Sequence, residues 1–371
     1  MTTPRDPHHG QNTWAALRHG AGPGSDQHPA PPATGPGEAQ GAPAPPYGGP
    51  STGGHPAPPG PPAGAGLPVE APPTPLGPLP YHQGLRRHTG NAWRGILALV
   101  LLAVVFFAAQ IPVTVIMLME SGWDLQSVRL TPLAMIAMNL ALGALWPASL
   151  LIQRILYGPR PGTLHSITGR IRWRLFGSMC AVLLPAYAIY VGITPFIMPE
   201  ESGPFTATMA AFLIVGLLTT PLQSAGEEVA FRGLLPRAVG GWFANPRVAL
   251  TAGTVVSSIF FALAHGAGDM WLNSYYLVFA VALTVMTWRT QGLEAAIIAH
   301  AANNTFLMVL NSAQGVDFEE SLFERQAGVG GPFMLVAMAM CIVVTALVWW
   351  RTSKPKVAAQ MQIPEPVKAT L

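Results

Sequence analysis

The chain has 371 residues, of which 50% are hydrophobic and only 10% charged, and its mean hydropathy is +0.37. That composition excludes an ordinary soluble domain and points to a polytopic membrane protein. A formal charge of +3 and a pI near 9.0 imply no nucleic-acid partner, because the Arg and Lys residues fall between apolar runs rather than in an aromatic-interleaved patch.

In chain order, residues 1–88 come first, rich in Pro, Gly, Ala and His as in APAPPYGGPSTGG, and they read as a disordered cytoplasmic tail that cannot bury a core. They lack the charged-then-apolar start of a cleaved signal peptide, so the first span is expected to serve as the insertion signal. Residues 89–352 then carry about eight nearly uncharged stretches of roughly 18 residues or more, each long enough for a hydrocarbon core of about 30 Å. The predicted spans are 95–119, 131–152, 175–197, 205–222, 248–264, 271–288, 293–310 and 332–350, followed by a cytoplasmic tail at 353–371. The expected fold is an all-α transmembrane helix bundle.

Basic residues alternate with acidic ones along this series. Arg86, Arg87 and Arg94 precede the first span; Arg154, Arg160, Arg170, Arg172 and Arg174 follow the second; Arg232, Arg237 and Arg247 follow the fourth. Arg289 follows the sixth, and Arg351, Lys354 and Lys356 follow the eighth. The other connections carry Glu120, Asp124, Glu200, Glu201, Asp269, Asp317, Glu319, Glu320 and Glu324, against only Arg129 and Arg325. By the positive-inside rule both termini are expected in the cytoplasm of a multi-pass cell-membrane protein. Cys180 and Cys341 lie in apolar stretches and suggest neither a disulfide framework nor a cysteine metal site. No internal repeat supports a two-fold transporter architecture.

Three polar motifs interrupt the apolar sequence: GEEVAFRG at 226–233, FALAH at 261–265 and HAANN at 300–304. Polar groups at membrane depth are costly and mark partners or function. In the first motif Arg232 lies four residues beyond Glu228, on the same helical face, so one ion pair leaves Glu227 free to hold a water as general base. The second places Phe261 one turn before His265, and the third places His300 one turn before Asn304. Taken alone, the first reads as well as an ion pair and the third as an interhelical hydrogen bond, while a lone His265 is more often an interfacial or packing residue. Together they supply a base, a second acid or base, and donors for a developing oxyanion.

These motifs, Glu227 and Glu228 to Arg232, Phe261 to His265, and His300 to Asn304, resemble in order and spacing the EExxxR, FxxxH and HxxxN pattern of the CPBP family of intramembrane proteases. That family includes the CAAX prenyl endopeptidase and the bacterial Abi proteins linked to bacteriocin self-immunity. The resemblance covers about 205–311. It implies peptide-bond hydrolysis in or near the membrane, with Glu227 and His265 activating water, His300 and Asn304 steadying the oxyanion, and Glu228, Arg232 and Phe261 supporting them.

A metal-free mechanism is the preferred expectation. Zn²⁺ held by Glu227, His265 and His300 stays open, although these residues lack the HExxH spacing of a local zinc helix. Partners are a peptide or membrane-protein substrate and the bilayer; prenylation of the substrate is not legible. Two other classes remain as alternatives: a transporter or proton pathway, and a non-catalytic immunity or scaffold protein. One conflict also stands at this stage, since a fourth span ending at 222 leaves Glu227 near the cytoplasmic face while His265 lies about 26 Å along a straight helix from Val248. Convergence requires 224–240 to be partly immersed or the fifth span to start deeper, with Pro221 and Pro236 as candidate bends.

Overall fold

The computed structural model describes residues 79–86, 92–158, 161–197, 203–315, 328 and 330–361. Nearly all of residues 1–88, Glu200, Glu201 and the acidic stretch 317–325 lie outside them, as do 362–371 of the C-terminal tail. Among the described residues there is no strand, only an isolated bridge between Ser166 and Gly292.

The helices are α1 (Ala92–Glu120), α2 (Pro132–Gly143), α3 (Leu145–Tyr157), α4 (Trp173–Ile197), α5 (Ala207–Glu228), α6 (Leu235–Gly240), α7 (Pro246–Ala264), α8 (Met270–Thr290), α9 (Glu294–Gln314) and α10 (Met334–Thr352). Their starts follow capping chemistry. Thr131, Thr206, Asn245 and Asp269 each accept a hydrogen bond from a backbone N–H of the following turn, and Pro132 and Pro246 occupy first-turn positions. Left-handed residues Gly158 and Gly315 close α3 and α9.

Among the described residues seven segments are long and apolar enough to cross a membrane: Ala92–Glu120, Pro132–Tyr157, Trp173–Ile197, Ala207–Gly240, Pro246–Ala264, Met270–Thr290 and Met334–Thr352. With Phe107, Phe196, Leu218 and Leu263 among the outward apolar side chains, the chain is a multi-pass membrane protein. The predicted seventh span, 293–310, corresponds to α9, whose 21 residues cover about 31 Å. Glu294, His300, Asn303 and Asn304 make it too polar to stand among the seven. Burial accounts for that polarity: Glu294–His300 is buried without a break, because α9 lies inside the bundle against α4, α5 and α8.

The fourth span also needs correction. It does not end at 222 but runs as one 34-residue segment from Ala207 to Gly240. Hydropathy truncated it because the charged motif is paired inside the bundle, with Glu228 and Arg232 both fully buried. Arg172, Arg232 and Arg237 are buried as well, so they are structural charges as much as topological ones.

Leu79–Arg86 belongs to the folded bundle, although its composition placed it within the tail. Tyr81 and Leu85 are buried, and Tyr81 donates its hydroxyl to the Leu164 carbonyl and takes its backbone partner from Gln291 Oε1 at 2.9 Å. His82 bonds the Pro246 carbonyl at 3.0 Å and Gln83 the Phe243 carbonyl at 2.8 Å. Arg237 lies 4.7 Å over the Tyr81 ring and donates to the Thr163 carbonyl at 2.6 Å. A short polar segment thereby ties three connections together, α3–α4, α6–α7 and α8–α9.

Candidate active site

Backbone register at the first motif departs from an α-helix. Val229–Leu234 forms a π-turn between α5 and α6, and the Leu235 N–H bonds the Ala230 carbonyl, five residues back. Phe231 is thereby left without its α-helical donor, and its next candidate, Pro236, has no N–H. Ser257, fully buried on α7, donates its hydroxyl to the Phe231 carbonyl. Gly253, one turn earlier, lets α7 approach Pro236 so closely that a Cβ there would meet the Pro236 carbonyl oxygen at 2.8 Å.

Antiparallel packing of α6 and α7 resolves the depth conflict. Gly253 lies at Pro236, Ser257 at Phe231 and Phe261 at Arg232, so His265 falls at the level of the first motif. A second close approach fixes the other side of this motif: a Cβ on Gly226 would meet Gly143 Cα at 2.8 Å, which brings α2 against the backbone beside Glu227.

Arg232 pairs with Glu228 at 2.9 Å, and its guanidinium sits 4.0 Å over the Phe261 ring. Glu228 Oε1 also accepts from His300 Nδ1 at 2.7 Å. That bond orients the ring so that Nε2 faces Glu227 Oε2 at 3.7 Å. Glu227 Oε1 accepts from Gln223 Nε2 at 2.7 Å, whereas the buried Oε2 takes no hydrogen bond from a described residue. Asn304 Nδ2 donates to Gln223 Oε1 at 3.4 Å, on the same face of α9 as His300.

His265 caps the C-terminus of α7 and donates Nδ1–H to the Phe261 carbonyl at 2.7 Å, which makes Nε2 the basic nitrogen of the neutral ring. Its ring stacks on Tyr276 with centroids 4.0 Å apart and lies 4.5 Å from Phe261, which in turn is 5.9 Å from His300. Glu227, Glu228, Arg232, His300 and Asn304 thus share one polar cluster, and His265 joins it across Phe261. Gln223, Asn303 and Tyr275 were not anticipated. For Gln223 the signal was available: it lies four residues before Glu227, the spacing of the other three pairs.

The three candidate metal ligands do not fit a common ion in this arrangement. Among the described residues no three His, Cys, Asp or Glu side chains are grouped to hold a metal. Tetrahedral zinc with three protein ligands requires such convergence.

Long helices around buried carboxylate and histidine side chains define a membrane protein with a polar cluster inside its bundle. A family model described as Type II CAAX prenyl endopeptidase Rce1-like matches residues 206–306, which contain every motif residue. The uncharacterised protein YyaK of Bacillus subtilis (strain 168) is 30% identical over 208 residues, covering 52% of this chain and 68% of YyaK. The chain belongs to this Rce1-like, CPBP-type family of membrane proteases. No solved structure matches it.

Proposed function

We propose that the protein is an intramembrane endopeptidase that hydrolyses peptide bonds with a water activated by Glu227. One observation carries the reading: Glu227 Oε2 and His300 Nε2 face each other at 3.7 Å in a buried site, with the Asn304 amide alongside. In this reading the attacking water sits at the apex of that pair, about 2.8 Å from each.

With both ring nitrogens of His300 protonated, Glu227, Glu228, Arg232 and His300 sum to zero charge, which suits a poorly solvated chamber. Glu227 takes the water proton as the water oxygen bonds the scissile carbonyl carbon. His300 Nε2–H and Asn304 Nδ2–H donate to the resulting oxyanion. Collapse then breaks the C–N bond, and the proton on Glu227 passes to the leaving nitrogen. His265, with Nε2 basic, serves as the second acid or base on the Phe261 side.

Substrates are peptides or membrane proteins presented from the bilayer. Both termini face the cytoplasm in this reading, and no metal takes part. Cleavage of quenched peptides by the purified protein in proteoliposomes tests it. Asn304→Ala is expected to lower turnover by about 10² to 10³ with little change in KM, and chelators to leave the wild type active. Reversible chelator inactivation tracking a stoichiometric metal would overturn the metal-free step. Proton flux without cleavage would favour a pathway function instead.

A further inference from the structure

Gln223 lies outside the three motifs, yet among the described residues its side chain bonds both the base and the oxyanion donor Asn304. It is buried on α5, one turn before Glu227. Its Nε2 donates to Glu227 Oε1 at 2.7 Å, and its Oε1 accepts from Asn304 Nδ2 at 3.4 Å and from Ser224 Oγ at 3.2 Å. The amide has only one workable orientation, because an ionised carboxylate accepts and never donates.

The bonds continue beyond Asn304. Asn304 Oδ1 accepts from Asn303 Nδ2 at 3.2 Å, and Asn303 Oδ1 accepts from the Tyr275 hydroxyl at 3.2 Å. Tyr275, Asn303, Asn304, Gln223 and Glu227, on three helices, therefore form one chain in which every donor points toward the Glu227 carboxylate. Reversing a single amide would set like groups face to face. Such chains strengthen cooperatively in a low-dielectric interior.

We propose that Gln223 is a positioning residue: it holds Glu227 Oε1 so that Oε2 presents to His300, and it parks the Asn304 amide donor until an oxyanion forms. This rests on the peptidase reading. The two distances divide the tasks. A short, charge-assisted bond fixes the carboxylate plane, whose terminal torsion is otherwise broad, while the longer bond to Asn304 is released at little cost when the oxyanion arrives.

The test uses the full-length protein in proteoliposomes and a quenched peptide that wild type cuts and Glu227→Gln does not. Gln223→Leu is expected to lower kcat by about 10- to 100-fold with KM changed less than about twofold, as expected for a misplaced base. Gln223→Glu, isosteric and accommodated by the same backbone, keeps the acceptor but replaces the donor and should lose at least as much. The double variant Gln223→Leu with Asn304→Ala should lose less than the product of the single losses, because both act through one chain. A Gln223→Leu kcat within about twofold of wild type, a loss carried by KM, or multiplicative losses in the double variant would each overturn the proposal. Full cleavage by Glu227→Gln of every peptide that wild type cuts would remove the base itself, a failure of the peptidase reading visible apart from Gln223.

Discussion

Glu227 and Glu228 are neighbours in sequence but differ in what depends on them. Glu228 is fully buried between Arg232 and His300, so Glu228→Gln leaves a guanidinium without its carboxylate in the bundle interior. Removing one partner of a buried pair costs about 3–5 kcal/mol, so thermal unfolding in detergent should show a marked fall in Tm for this variant. Glu227→Gln keeps the bond from Gln223 and should unfold near the wild-type temperature while losing about 10² to 10⁴ in turnover. Equal Tm losses in the two variants would contradict this division. His165, in the connection between α3 and α4, offers a separate titration. Its Nε2 accepts the Trp146 indole N–H at 2.8 Å, so the fold keeps the ring neutral. Burial lowers its pKa most, while the Gly162 carbonyl and Glu294 oppose that shift. A folded-state pKa below the unfolded value means the unfolded chain takes up the proton first. The stability it contributes is present above about pH 6.5 and is lost as pH falls below it. Tm should therefore drop on acidification from about pH 7.5 to about 5.5, and drop less in His165→Gln; identical profiles would contradict the assignment.

Among the elements, the π-turn at Val229–Leu234 departs furthest from sequence expectation. Leu235 reaches back to Ala230 and Pro236 has no N–H, which leaves the Phe231 carbonyl without a backbone donor. Its repair is distant, from Ser257 on α7. Ser257→Ala should leave a buried carbonyl unsatisfied at a cost of about 1–3 kcal/mol, measured by thermal unfolding, with Ser257→Thr retaining more stability because it keeps a hydroxyl. A Ser257→Ala protein as stable as wild type would show that the bond carries no weight. The motif residues on these elements were legible because four-residue spacing places pairs on one face whether or not the helix end is known. The π-turn was not, since it depends on which carbonyl α7 satisfies. The Arg172 and Glu294 pair at 2.6 Å joins the start of α4 to the start of α9 across 122 residues, and no local pattern announces it.

At the scale of the molecule, hydropathy located the bundle, α9 included, and failed where burial of polar groups imitates an aqueous ending, at Glu227 on the fourth span. Composition similarly extended the tail to 88, because PYHQGL carries few aliphatic residues even though Tyr81 and Leu85 are buried. Deleting residues 1–78 should leave cleavage and Tm near wild type. Deleting 1–86 should lower Tm, since it removes the bonds to Leu164, Gln291, Pro246 and Phe243. Equal stability of the two truncations would show that the segment is dispensable. The central claim is that Glu227 drives proteolysis at the membrane. Its most direct test is quantitative membrane proteomics with mapping of new protein termini, comparing cells that carry the wild type with cells that carry Glu227→Gln at equal abundance. The account predicts one or more membrane-associated proteins that accumulate uncut, with their cleavage products missing, in the Glu227→Gln cells; indistinguishable termini in the two strains would contradict it.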